Sequence, residues 1–88
     1  MNRSDILSTA AEYVTKDRAA THGNVEDNFN RIAGLWSQYL NEEIGTADVA
    51  AMMILLKVAR IQSNPCHDDS WIDIAGYAAC GGEIAGRS

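Results

Sequence analysis

Lys57 and Arg60 interrupt an otherwise apolar stretch that runs from Val49 through Met52, Met53, Ile54, Leu55, Leu56 and Val58 to Ile61. At ~100° per residue, a helix there sets Met53, Lys57, Arg60 and Asn64 along one stripe. Burying cationic stems among apolar neighbours is costly unless an anion meets the charge. That anion is either a carboxylate of the same fold or the phosphate of a ligand. Asp69, Asp73 and Tyr77 recur at four-residue intervals further along, which makes Asp73 the internal candidate for pairing with Lys57 or Arg60. In the alternative arrangement Asp73 orients Arg60 while Lys57 faces a ligand phosphate. Asp69 and Asp73 also form the minimum oxygen pair for magnesium, which keeps several waters and bridges to substrate phosphates. Acidic residues at a helix start equally complement the helix dipole with no metal involved.

A second constellation occupies residues 17 to 24, DRAATHGN. Arg18, Thr21, His22 and the backbone amides that lead into the following helix make an anion site of the kind helix N-termini favour. Asn28, one turn inside that helix, is placed to contact a base or sugar. Ordinary turn chemistry with a surface histidine accounts for the same residues. As a histidine, His22 is a candidate general base, but spacing supplies it with no partner. Tyr13, Trp36, Tyr39 and Trp71 read as core or subunit contacts. Tyr77 continues the Asp69–Asp73 stripe and joins the ligand-facing set. Cys66 and Cys80 read as spectator thiols, since with His67 they lack the paired spacing of a zinc site.

The elements that must position these groups are four helices, at about 4–16, 25–40, 47–62 and 69–85. Ser4, Thr46 and either Asp69 or Ser70 are the expected N-caps. Val25, Phe29, Ile32, Trp36, Tyr39 and Leu40 give the second helix a single apolar stripe, while Glu26, Asp27, Asn30 and Gln38 fall off it. Gly23 and Asn24 supply turn chemistry, and Asn64 before Pro65 ends the third helix. Gly76 implies close helix packing, and Gly81 and Gly82 a frayed end. The fold class is all-α, a four-helix bundle-like protomer formed by one domain over residues 1–88. The third helix is apolar on nearly all sides, and three neighbours in so short a chain barely surround it. A packed or intertwined homo-oligomer follows.

Composition excludes several classes. A net charge of −5 argues against a nucleic-acid polymer as partner, because such binders carry a basic field. The apolar run from Val49 to Leu56 is too short for a membrane span of ~20 residues. The N-terminal MNRSDILSTAAEYV places charges where a secretory signal needs an apolar run. A cytoplasmic location with reduced thiols is expected.

The blocks DRAATHGNVEDNF, RIAGLWSQYL, DVAAMMILLKVARI and HDDSWIDIAGYAAC resemble a group of short phage and prophage proteins of unassigned function, across nearly the whole chain. That group in turn resembles, more distantly, the all-α MazG-type nucleotide pyrophosphohydrolases. The second resemblance implies a helical oligomer that hydrolyses nucleoside triphosphates between the α and β phosphates with magnesium. The MazG-type pattern gathers an ExxE pair and an ExxD pair. Here only Asp73, with Asp69, resembles the second pair; no ExxE occurs, and Glu26, Asp27 and Asp48 are imperfect substitutes.

Three functions remain open. The first is a binder of a phosphorylated nucleotide or nucleotide-derived signalling molecule through Arg18, Thr21, His22, Asn28, Lys57, Arg60, Asp73 and Tyr77, sequestering it against host defence in the host cytoplasm if the chain is phage-encoded. The missing carboxylates favour this reading over catalysis. The second is a magnesium-dependent pyrophosphohydrolase with Asp69 and Asp73 on the metal. The third is a structural or partner-binding helical protein in which the charged stripes are salt bridges alone.

Overall fold

The computed structural model describes residues 1–17 and 25–87. Among them are four α-helices: α1 (Arg3–Glu12), α2 (Val25–Leu40), α3 (Thr46–Ser63) and α4 (Asp68–Ala85), with a π-helical turn at Tyr13–Asp17 directly after α1. No described helix is long and apolar enough to cross a membrane.

The caps differ from the expected ones. Asn2 rather than Ser4 caps α1: its side chain accepts the Asp5 N–H at 2.8 Å, while Asp5 accepts the Asn2 N–H at 3.3 Å. This reciprocal box satisfies two otherwise orphaned donors, which Ser4 cannot match because the residue three places on is Leu7. Gly45 rather than Thr46 precedes α3, and its N–H is taken by Asp48 at 2.8 Å. His67 rather than Asp69 or Ser70 stands at the cap of α4. There Ser70 is buried and its hydroxyl meets His67 Nδ1 at 3.0 Å.

The expected first helix to residue 16 is α-helical only as far as Glu12. Beyond it the hydrogen-bond ladder widens to the π spacing, and the Thr15 hydroxyl donates to the Ala11 carbonyl at 2.6 Å. At the far end of α2, Asn41 adopts φ 54° and Glu42 N–H reaches back to the Ser37 carbonyl at 3.2 Å. This is a left-handed helix stop that asparagine tolerates better than most residues. The Ser37 hydroxyl then holds the loop by accepting the Ile44 N–H at 2.8 Å and donating to its carbonyl at 3.2 Å.

Helix α4 organises the bundle. It makes its most extensive contact with α3 and packs against α1 and the π-turn on another side, while α2 lies on α3. Phe29, Ala33, Val49 and Ala50 form the buried core, flanked by Val25, Ile32, Trp36, Ile44, Met53, Tyr77, Cys80 and Ile84. Gly81 belongs to this packing. A Cβ there would lie 2.7 Å from the Cβ of Ala50, so the frayed end expected at Gly81 is instead a close helix crossing, and α4 continues to Ala85. Gly82 meets nothing within 4 Å. Tyr39, expected in the core or a subunit contact, is 89% exposed in this chain, and Trp71 sits half-exposed with its indole N–H on the Pro65 carbonyl at 2.9 Å.

Candidate functional site

Two helical stripes face one another across a cleft of about 300 Å³. Val25, Asn28, Phe29 and Ile32 supply one wall from α2, and Asp73, Gly76, Tyr77 and Cys80 supply the other from α4. Both sets follow the i, i+3, i+4, i+7 spacing that puts residues on one helix face. Tyr13 and Val14 of the π-turn close a third side. The turn comes this near because Gly76 carries no side chain, since a Cβ there would sit 3.1 Å from Val14 Cγ1. Phe29 and Tyr77 stack with ring centroids 6.2 Å apart and planes 26° from parallel. The result is a largely apolar, aromatic cleft with a few polar groups converging on it, the usual composition of a small-molecule site.

Asp73 connects this cleft to α3. Its Oδ2 lies 2.8 Å from Lys57 Nζ, and both side chains are mostly buried, at 13% and 14% exposure. The cation is therefore answered by a carboxylate within the bundle, as the internal-pair reading of the sequence had it, and Lys57 does not line the cleft. Arg60 goes elsewhere. It is exposed and lines a separate shallow depression with Leu56, Ala59, Ser63, Asn64 and His67. A helical step of three residues leaves these two side chains ~60° apart around the axis. That difference sends Lys57 towards α4 and Arg60 to the surface.

Of the residues picked out from the sequence, the fold brings Asn28, Asp73 and Tyr77 together on the cleft. Arg18, Thr21 and His22 lie outside the described residues. Asp69 is exposed in the first turn of α4 and does not line the cleft. Among the described residues no three His, Cys, Asp or Glu side chains gather as a metal ion would need. Glu26 lies beyond Val25 in an adjoining depression that also holds Glu83 and shares Val14, Val25 and Cys80 with the main cleft. Both glutamates bind Arg87, which joins the end of α4 to the first turn of α2. The hydrogen bond and charge of Glu26, with Glu83 behind it, raise the Arg87 guanidinium above its already high value, so it stays charged at any pH the fold experiences.

Sequence reasoning left out Tyr13, Phe29 and Cys80, assigning them to core contacts or to spectator thiols. The signal available for two of them was the continuation of two stripes: Asp73–Tyr77 runs on to Cys80, and Asn28 has Phe29 beside it on the same face.

Comparison with known proteins gives the chain relatives. The model of the DUF6378 family, a domain of unknown function, matches residues 5–85. The Gene 55 protein of Mycobacterium phage L5 is 49% identical over 74 residues, covering 83% of this chain and 47% of that protein. The Gene 55 protein of Mycobacterium phage D29 is 44% identical over 75 residues, covering 85% of this chain and 50% of that protein. The chain thus spans about half the length of these relatives. No solved structure matches it.

Proposed function

We propose that this chain, which belongs to the DUF6378 family of domains of unknown function, binds a phosphorylated nucleotide or nucleotide-derived signalling molecule in the cleft between α2, α4 and the π-turn. The observation that carries this reading is the convergence of Asn28, Asp73 and Tyr77 on a cleft walled by the Phe29–Tyr77 ring pair. Flat aromatic walls suit a base, and an amide, a carboxylate and a phenol offer it hydrogen bonds. In this reading Lys57 fixes the Asp73 carboxylate rather than touching phosphate. Arg60, facing its own depression, takes no part. For the phosphate the sequence offers Arg18, Thr21 and His22, which lie outside the described residues. Binding without turnover suits a protein that sequesters its ligand, and relatives encoded by phages suit a ligand used by host defence in the cytoplasm.

The test is incubation with a panel of canonical nucleotides and cyclic or NAD-derived messengers in the presence of magnesium, followed by chromatography. Binding predicts depletion of one intact compound that reappears on heating. Asn28→Ala and Tyr77→Phe should abolish or weaken that capture with helicity unchanged, while Arg60→Ala should leave it intact. Pyrophosphate release would replace binding with the MazG-type reaction, in which Asp69 and Asp73 hold magnesium. No change with any compound would leave a structural or partner-binding role.

A further inference from the structure

Helix α3 is only half covered. Its Val49, Ala50 and Lys57 turn towards α2 and α4, whereas Ala51, Leu55, Val58, Ala59 and Gln62 face outward. Leu55 is 66% exposed and Val58 37%. Ala51, Leu55, Val58 and Gln62 follow one another at steps of four, three and four, the spacing of a helix–helix seam, and no charge falls on that stripe. A helix apolar on all sides is normally enclosed on all sides.

The surface area says how much cover is missing. The chain exposes 5985 Å², against roughly 5,000 Å² for a compact monomer of this mass. The excess of roughly 900 Å² is close to the ~800 Å² that each partner contributes to a standard interface. The radius of gyration agrees: 13.4 Å, where a compact domain of this length has about 12 Å. A single copy is short of burial by about one partner's share.

We propose that a second copy of this chain supplies it, with the outward stripe of α3 packed antiparallel on the same stripe of its partner across a two-fold axis. A closed two-fold contact uses one patch twice and leaves no open end. Antiparallel helices set their dipoles in opposition. Charge selects the partner further. A chain of net charge −5 meets itself at least cost through an uncharged stripe. A basic partner finds little there, because the one acid at its edge, Asp48, is turned to the Gly45 N–H. This association goes beyond the ligand-binding reading and does not depend on it.

The test is native mass spectrometry and equilibrium sedimentation of the full chain across a concentration series, with Leu55→Glu and Leu55→Lys alongside. Both variants alter a largely exposed side chain, and circular dichroism checks that their helices remain. The wild type is expected to contain at least two chains, each variant alone at most half as many, and the equimolar mixture of the two variants should recover the wild-type mass. Should Leu55→Glu fail to fold, Leu55→Lys with Val58→Glu makes the same comparison, and should Leu55→Lys fail, Leu55→Glu with Val58→Lys does. A wild type that stays single throughout, or assemblies that both variants leave intact, would overturn the proposal; the second outcome would move the contact to another face, such as that of Leu35 and Tyr39.

Discussion

Helix α4 meets its neighbours in two contrasting ways. Towards α3 it presents small residues, and the two backbones close until Gly81 and Ala50 leave no room for a methyl group. The Lys57–Asp73 pair locks the same seam further along. Towards α2 and the π-turn it presents Asp73, Tyr77 and Cys80 against Asn28, Phe29 and Tyr13, and the large side chains prop the elements apart around about 300 Å³ of open space. Protein interiors seldom keep voids larger than a water molecule, so a cleft of this size beside so tight a seam separates the part of the chain that holds the fold from the part that can receive something. Gly76 and Gly81, five residues apart on α4, show the division at its finest: the second lets two helices close, and the first lets the π-turn approach just far enough to form a wall.

Mutations that treat the seam and the cleft alike would break this contrast. The largest effect is expected from Ile72→Ala, which removes a fully buried side chain and should cost about 2–5 kcal/mol in urea or guanidinium unfolding. Asp73→Ala removes the carboxylate that Lys57 meets in a mostly buried setting; a loss of about 1–3 kcal/mol is expected, together with loss of ligand capture, because Asp73 serves both regions. Gly81→Ala and Gly82→Ala form a pair of opposite sign. The first forces α3 and α4 apart and should destabilise by roughly 1 kcal/mol after the gain in helix propensity. The second meets open space and should stabilise by up to ~1 kcal/mol. Equal signs from the two would show that the seam is not tight.

Tyr77→Phe keeps the ring stacked on Phe29 and should leave stability within ~0.5 kcal/mol while ligand capture falls, which sharpens the assignment of the cleft to binding. The smallest effect is expected from Arg87→Ala. Its pairs with Glu26 and Glu83 are exposed, so any shift in melting temperature should be slight and vanish as salt is raised. Because the guanidinium is held above its ordinary pKa, its contribution is complete below that ordinary value and is lost only as pH rises through the raised one. The Arg87→Ala difference should therefore show no slope with pH on account of Arg87 through the neutral range.

How much of this the residues disclosed depended on the distance between the partners. The helices were legible because their apolar stripes are local, and α2 and α3 were placed to within a residue. The Asn2–Asp5 cap was also legible, as an asparagine with an acid three places on, but Ser4 two places later is an equally favoured type of cap. The Lys57–Asp73 pair could be read as one of two options. Spacing gives the angle of a side chain around its own helix, not which neighbour lies on each flank, so the separation of Lys57 from Arg60 was hidden. The same holds for Gly81: its role is set by Ala50, thirty-one residues earlier and on another helix. The cleft followed only in part, since it needs the π-turn, and no periodicity in YVTKD announces a widened ladder. The contribution of Arg18, Thr21 and His22 lies outside the described residues.

The π-turn at Tyr13–Asp17 has a further consequence. Five residues there travel little farther than four would in an ordinary helix, so the chain carries a surplus residue at a spot that touches the cleft. Deleting Thr15 would let α1 run on as regular helix with the chain beyond it nearly in phase, since four residues at the ordinary spacing complete about the turn that five make here. The widened ladder that carries Tyr13 and Val14 to the cleft would be lost. Changing the composition of this turn tunes one wall, whereas changing its residue count rewinds the backbone of that wall, and the α3–α4 seam has no surplus residue that a single deletion could take out in that way.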